Sequence, residues 1–190
     1  MHEVERALAR VPELAHVPRE RIAWERLGGL TNRVYKIAAG DAAYVLRIAG
    51  EGTSAYIDRA VEAHNVRVAA AAGVGAEVLF TDPNDGLMLT RYLDGCVTMS
   101  PAQFRARPGA PARAAQVLKR MHTCGQAFQF RFELFAMIDE YRRILAERDA
   151  PLPYGYPVAV DEAQLARDLL AKSPVPLAPC HCDPLAEYFL

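Results

Sequence analysis

Apolar positions fall into two regimes along this chain. Up to about residue 91 they come in short, partly alternating runs separated by Gly, Pro, Asn and Asp; beyond about residue 100 they recur every three or four residues. Val4, Leu8 and Val11 stand at helical spacing and predict a short amphipathic helix over residues 2–11, closed off by a turn between Pro12 and Pro18. Ile22 to Leu27 and Arg33 to Ile37 read as strands joined by Gly28-Gly29-Leu30-Thr31-Asn32. After the turn Ala39-Gly40-Asp41, Tyr44 to Ile48 reads as a third strand. Ile57, Val61, His64 and Val68 share one helical face, and Gly73 and Gly75 end that helix. Glu77 to Thr81 and Leu87 to Arg91 are two further strands around the turn Pro83-Asn84-Asp85-Gly86.

Tyr92-Leu93-Asp94-Gly95 then reads as a linker, which divides the chain into residues 1–95 and residues 96–190. In the second region Ala114, Leu118 and Met121 form one apolar stripe, and Leu134, Phe135, Ile138, Tyr141 and Leu145 another. Asp161 with Gln164 has the spacing of a capping box for a helix through Leu165 and Leu169. Phe128, Phe130, Phe132 and Phe135 are expected in the core. Val175 to Pro179 reads as the approach to a short strand, on which Cys180 and Cys182 would face one side and His181 the other.

Composition narrows the classes. A chain of 190 residues with 52% hydrophobic and 24% charged residues can bury a core. Its net charge of -1 speaks against a nucleic-acid surface. The charged start, Met1-His2-Glu3-Val4-Glu5-Arg6, is unlike a signal peptide, and no apolar run approaches the roughly 20 residues of a membrane span. A soluble cytoplasmic protein with no nucleic-acid or membrane partner is expected. The four cysteines are then expected to be reduced, buried thiols. Cys180, His181 and Cys182 with His122 and Cys124 do not have zinc-site spacing.

Three features carry candidate chemistry. The run Gly28 to Asn32 has two readings: a plain hairpin turn, or a loop whose backbone N–H groups approach phosphates closely because glycine has no Cβ. Arg47 is a lone cation in an apolar strand, and if buried it needs a partner; Glu62 on the following helix is the best placed acid. The alternative is an arginine with its head in water, in a chain that has 19 Arg and three Lys. His181 and Asp183 form an H-x-D, the core of the protein-kinase catalytic loop, in which the Asp takes the proton of the attacking hydroxyl. The position five residues beyond that Asp, an Asn in kinases, is Tyr188.

The order of these features is that of a kinase. Leu27-Gly28-Gly29-Leu30-Thr31-Asn32, Leu46-Arg47-Ile48 and His181-Cys182-Asp183-Pro184-Leu185-Ala186-Glu187 resemble the choline/ethanolamine kinase branch of the aminoglycoside phosphotransferase family, from about Arg21 to Leu190. The resemblance implies a protein-kinase-like α+β fold: a five-stranded antiparallel N-lobe sheet with one helix, then an incomplete helical C-lobe ending in the catalytic loop. It implies that Gly28, Gly29, Leu30, Thr31 and Asn32 cover the phosphates of ATP and that Arg47 and Glu62 pair. Thr90, Arg91, Tyr92 and Leu93 would border the adenine, and Asp183, with His181, would be catalytic. ATP and Mg²⁺ are the implied cofactors, and a choline-like small alcohol the acceptor.

Two departures accompany the match. Tyr188 offers a neutral, bulky phenol where the family has a magnesium-binding Asn. The family also carries, beyond the position of Leu190, an Ile-Asp-Trp-Glu-like segment whose Asp binds metal, and the acceptor pocket. The expectation is a truncated kinase without activity of its own. It would come from a broken gene or a shortened expression product, act as a nucleotide- or partner-binding pseudokinase, or be completed by a second chain. A kinase for aminoglycosides or another small alcohol remains an alternative. Apolar surface left uncovered would favour self-association.

Overall fold

A computed structural model describes residues 3–29, 31–55, 57–173 and 175–190. The fold is α+β. Strands β1 (Ile22–Gly28), β2 (Arg33–Ala39), β3 (Ala42–Ile48), β4 (Val78–Thr81) and β5 (Met88–Arg91) form one antiparallel sheet in the order β1-β2-β3-β5-β4. Because side chains alternate across a strand, each strand commits one set of residues to each face. Tyr35, Ile37 and Ala39 of β2, Leu46 of β3 and Leu89 of β5 are buried on the same side. There they meet Val4, Ala7 and Leu8 of helix α1 (Glu3–Leu8), and Val11 and Leu14 of the turn that follows. The N-terminal helix thus supplies the apolar cover of one sheet face. Val4, Ile37, Leu46 and Leu89 are fully buried, so this layer is the main hydrophobic contribution to the sheet.

Polar contacts fix the same layer at its margins. Arg10 binds both Asp82 (2.5 Å) and Asp85 (2.6 Å) in the turn between β4 and β5, and Glu3 accepts from the Tyr35 hydroxyl at 2.6 Å. Side chains of odd alternation, Arg47 among them, leave β3 on the opposite face, toward helix α2 (Arg59–Ala71). Asp58 caps α2 by accepting from the N–H groups of Ala60 and Val61, so Ile57 lies in the lead-in and not on the helix.

Two further helices, α3 (Pro101–Ala106) and α4 (Ala110–His122), belong to the same compact unit as the sheet. That unit runs to Gln129 and also includes Ala178–Leu190. The start of α3 is a capping box: Ser100 Oγ accepts from the Gln103 N–H, and Gln103 Oε1 accepts from the Ser100 N–H. Phe130–Leu177 form a second unit containing α5 (Leu134–Glu147) and α6 (Tyr156–Ala171). Within it Arg167 joins the two helices, pairing with Asp139 and lying over the Phe135 ring.

Several local expectations need correction. Asp161 and Gln164 are interior to α6, which starts after Gly155 in a left-handed conformation and has Pro157 in its first turn. Phe130 and Phe132 are exposed, because no described element packs over them. No residue of α5 or α6 is buried, although Leu134, Tyr141, Leu165 and Leu169 repeat at apolar spacing. Residues 175–183 form no strand, and Cys180 and Cys182 are exposed free thiols. No helix among the described residues is long and apolar enough to cross a membrane.

Candidate functional site

Arg47 leaves β3 near its C-terminal end, between Leu46 and Ile48, on the face away from α1. Its guanidinium donates to Glu62 Oε1 (2.8 Å) and Oε2 (2.7 Å) and to the Gly86 carbonyl (3.2 Å). The register places Arg47 opposite Val34 on β2 and Met88 on β5, which fixes its height on the sheet. Burial by itself would raise the Glu62 carboxyl; hydrogen bonds and charge from Arg47 and Arg59 outweigh that and hold it below its ordinary value. The Nε of Arg47 is buried and has no hydrogen-bond partner among the described residues.

Sequence reasoning missed Arg59. It is buried, with a side chain only 3% exposed, and donates to Glu62 Oε2 at 2.9 Å and to Ser54 Oγ at 3.3 Å. It also donates to Thr53 Oγ1. A signal was present: Arg59 is the first residue of α2, where the positive end of the helix dipole disfavours a cation unless other groups hold it. Two guanidinium groups on one carboxylate leave the cluster with an excess of one positive charge.

The glycine-rich turn lies between β1 and β2. Gly29 has φ +105°, and a Cβ there would sit 1.9 Å from the Asn32 carbonyl oxygen, so only glycine fits. Asn32 Oδ1 accepts from the Gly50 N–H at 3.4 Å, a long bond. Gly50 faces the Thr31 carbonyl so closely that a Cβ would stand 1.8 Å from its oxygen. Leu30 lies outside the described residues. Gly50→Ala is therefore expected to force the turn and the segment after β3 apart. The expected cost is about 1–3 kcal/mol, typical of overpacking, measured as a lowered urea midpoint with an unchanged slope.

Thr90 pairs with Val45 and Val78 in the sheet. Arg91 is ion-paired to Glu77 (3.0 Å) and lies over the Tyr44 ring. The N–H of Tyr92 donates to the Ala43 carbonyl at 3.1 Å, and Lys36 stands 4.3 Å from the centre of its ring. Leu93 is exposed. Both Arg91 and Tyr92 thus have local partners of their own.

His181 and Asp183 lie in an irregular segment. His181 Nδ1 accepts from the Asp183 N–H at 3.4 Å, and Cys182 between them has φ +65°, uncommon for a non-glycine residue. A short 3₁₀ turn, Ala186–Tyr188, follows and places the Tyr188 ring 5.1 Å from the His181 ring. Phe189 anchors the segment to α3. Its carbonyl accepts from the Met99 N–H at 3.0 Å, and its ring meets Phe104 edge-on at 5.6 Å.

The Arg47 cluster suits an anionic ligand: it has a positive excess, and the Arg47 side chain keeps 20% exposure. The segment around His181 and Asp183 does not suit Mg²⁺. Tyr188 offers a phenol, and the described residues bring no three His, Cys, Asp or Glu side chains together. A separate cavity of about 610 Å³ lies in the second unit, lined by Leu145, Leu152, Tyr156 and Val160 among others. None of the sequence-predicted site residues lines it.

Comparison with known proteins bears on the family and the fold. Residues 24–187 match the model of the phosphotransferase enzyme family. A crystal structure of a choline/ethanolamine kinase family protein from Mesorhizobium loti superposes with a TM-score of 0.82 at 50% identity, covering 97% of this chain and 58% of that one. Protein LicA of Haemophilus influenzae is 27% identical over 178 residues, which are 89% of this chain and 50% of that protein. A structure of LicA in complex with AMP shares the fold, with a TM-score of 0.70 at 21% identity, covering 98% of this chain and 64% of that one. The chain thus spans about half the length of the curated relative that it matches.

Proposed function

Because this chain belongs to the phosphotransferase enzyme family, we propose that it carries the nucleotide half of a choline/ethanolamine kinase-like site. The whole reaction would transfer the γ-phosphoryl group of ATP to the hydroxyl of a small, choline-like alcohol. The observation that carries the reading is Arg47: a cation held by Glu62 on a sheet and still partly exposed. In this reading residues 1–95 are the nucleotide lobe and residues 96–190 begin the helical lobe. Gly28 to Asn32 lie over the phosphates, Thr90 to Leu93 border the base, and Asp183 takes the proton of the acceptor hydroxyl. Four free thiols fit a reducing compartment, the cytoplasm. The 50% identity to a choline/ethanolamine kinase family protein favours this acceptor class over an aminoglycoside.

Titration calorimetry tests the nucleotide half directly. ATP is expected to bind weakly and with little dependence on Mg²⁺, since the charge that neutralises the phosphates is supplied by Arg47. Arg47→Met should remove binding. Tight binding that requires Mg²⁺ would show that a metal site forms despite Tyr188. No binding at all would defeat the nucleotide reading.

A second reading, a nucleotide- or partner-binding module without turnover, is favoured by Tyr188. Its ring rests beside His181, and by the family resemblance it stands in the sequence where an Asn metal ligand is expected. An adenine nucleotide bound without any acceptor effect on affinity would support it. Raised affinity for ATP in the presence of choline would count against it.

A further inference from the structure

Arg59 touches both parts of the site that the sheet brings together. One arm of its guanidinium binds Glu62 Oε2, and Glu62 in turn holds Arg47. The other arm binds Thr53 Oγ1, whose own hydroxyl donates to the Gly50 carbonyl at 2.6 Å. Gly50 is the residue packed against the glycine-rich turn, with its N–H toward Asn32 and its Cα against the Thr31 carbonyl. A planar fork of donors spans these two directions at once, which a point-charge ammonium cannot do. Burial makes the arrangement strict. A guanidinium with 3% exposure has to keep its partners, so moving either arm moves the other.

We infer that Arg59 is a positioning residue that sets the spacing between the glycine-rich turn and Arg47. The inference rests on the nucleotide reading for its purpose, and on geometry alone for its content. Arg59 touches no phosphate in this scheme. It acts through Glu62 on one side, and through Thr53 and Gly50 on the other. Loss of Arg59 would free the Glu62 carboxylate to turn, so that it no longer holds both Nη groups of Arg47 at once, and would release the turn after β3.

The test uses the full 190-residue chain and two readouts. The first needs no nucleotide: ¹⁵N spectra of the guanidinium groups, with Arg47 assigned by its loss in Arg47→Lys. In the unmodified chain the Arg47 Nη signals should be separate, because a doubly bound guanidinium rotates slowly. In Arg59→Met they should merge, and the Ile57 amide, bound to the Thr53 carbonyl at 3.0 Å, should exchange faster. A residue that served stability alone would lower the melting temperature and leave the Arg47 signals of the folded protein unchanged. That outcome overturns the inference.

The second readout is ATP affinity. Arg59→Met should weaken it about tenfold, the equivalent of one well-placed charged contact, with Arg59→Lys restoring only part. Arg47→Lys combined with Arg59→Met should lose less than the sum of the two single losses, because one of the two arms of Arg59 acts through Arg47. Additive losses would overturn the role assigned here. Should the unmodified chain bind no ATP, the function proposal fails, and the guanidinium spectra still decide the case of Arg59. Should Arg59→Met not fold, Arg59→Lys and Thr53→Val take its place. Thr53→Val cuts only the turn-side arm, and should speed Ile57 exchange while leaving the Arg47 signals separate. Unchanged exchange in Thr53→Val would refute the link to the turn.

Discussion

Glu62→Ala is expected to destabilise the first unit by about 3–5 kcal/mol, the range for removing one partner of a buried charge pair. The reason is what remains. Arg47 and Arg59 would face each other across the vacated carboxylate, one of them almost wholly buried. Like charges in a partly dry site repel strongly, and neither guanidinium can lose its proton. Urea unfolding would measure the loss directly, and a change below about 1 kcal/mol, the surface-pair range, would contradict this account. Glu62→Gln keeps an acceptor and the side-chain volume, so its cost should be smaller, while ATP affinity should still fall as Arg47 loosens. The pH dependence has a definite sign. A carboxyl held below its ordinary value contributes stability that is present above that value and lost as pH falls through the lowered one. Glu62→Gln should therefore flatten the acid limb of the stability curve below about pH 4.5, the usual carboxyl range.

The second large effect concerns turnover. The unmodified 190-residue chain is expected to release no ADP in response to choline, ethanolamine or an aminoglycoside above a blank without acceptor. Tyr188→Asn by itself should not change that. It would supply one oxygen donor near Asp183, yet an isolated donor does not position a metal, and the matched relatives extend well beyond the part aligned here. Asp183 as a general base contributes on the order of 10²–10⁴-fold. Alignment of the reactants can be worth roughly 7–11 kcal/mol, which base assistance cannot replace. Turnover should appear only when Tyr188→Asn is joined to the C-terminal segment of a choline kinase relative, and Asp183→Asn should then abolish it. Acceptor-dependent ADP release by the unmodified chain, lost on Asp183→Asn, would overturn the expectation that this chain is inactive by itself.

The sheet was legible because alternation in β2 and β3 is strong. Leu46 and Arg47 are neighbours that could not share a face, and one of them had to meet another element. Spacing and the cost of an unpaired cation made Glu62 the best placed partner for Arg47, and the family resemblance implied the pair. Other features had no such constraint. Ser100-Pro101-Ala102-Gln103 and Asp161-Glu162-Ala163-Gln164 carry the same capping signature, and only the backbone at Gly155 excludes the second. Aromatic content misled at Phe130 and Phe132, because burial depends on what packs over a side chain, not on its type. Arg59 was hidden by its chemistry: a surface-type residue reads as solvated, and its unfavourable place at a helix start was a weak signal beside the partners the fold supplies.

The first unit is discontinuous, and that orders its assembly in time. Phe189 docks against Met99 and Phe104, but Phe130–Leu177 separate Ala178–Leu190 from the rest of the unit. On the ribosome the sheet, with α1 and α2, is synthesised first and can collect its core from local contacts. The segment bearing His181 and Asp183 reaches its anchor only after the second unit has emerged. Loop closure over that distance adds little to the free-energy cost, since the penalty grows only with the logarithm of length. The delay is kinetic: at ~5–20 residues per second, a nascent chain would expose a finished sheet seconds before His181 and Asp183 arrive.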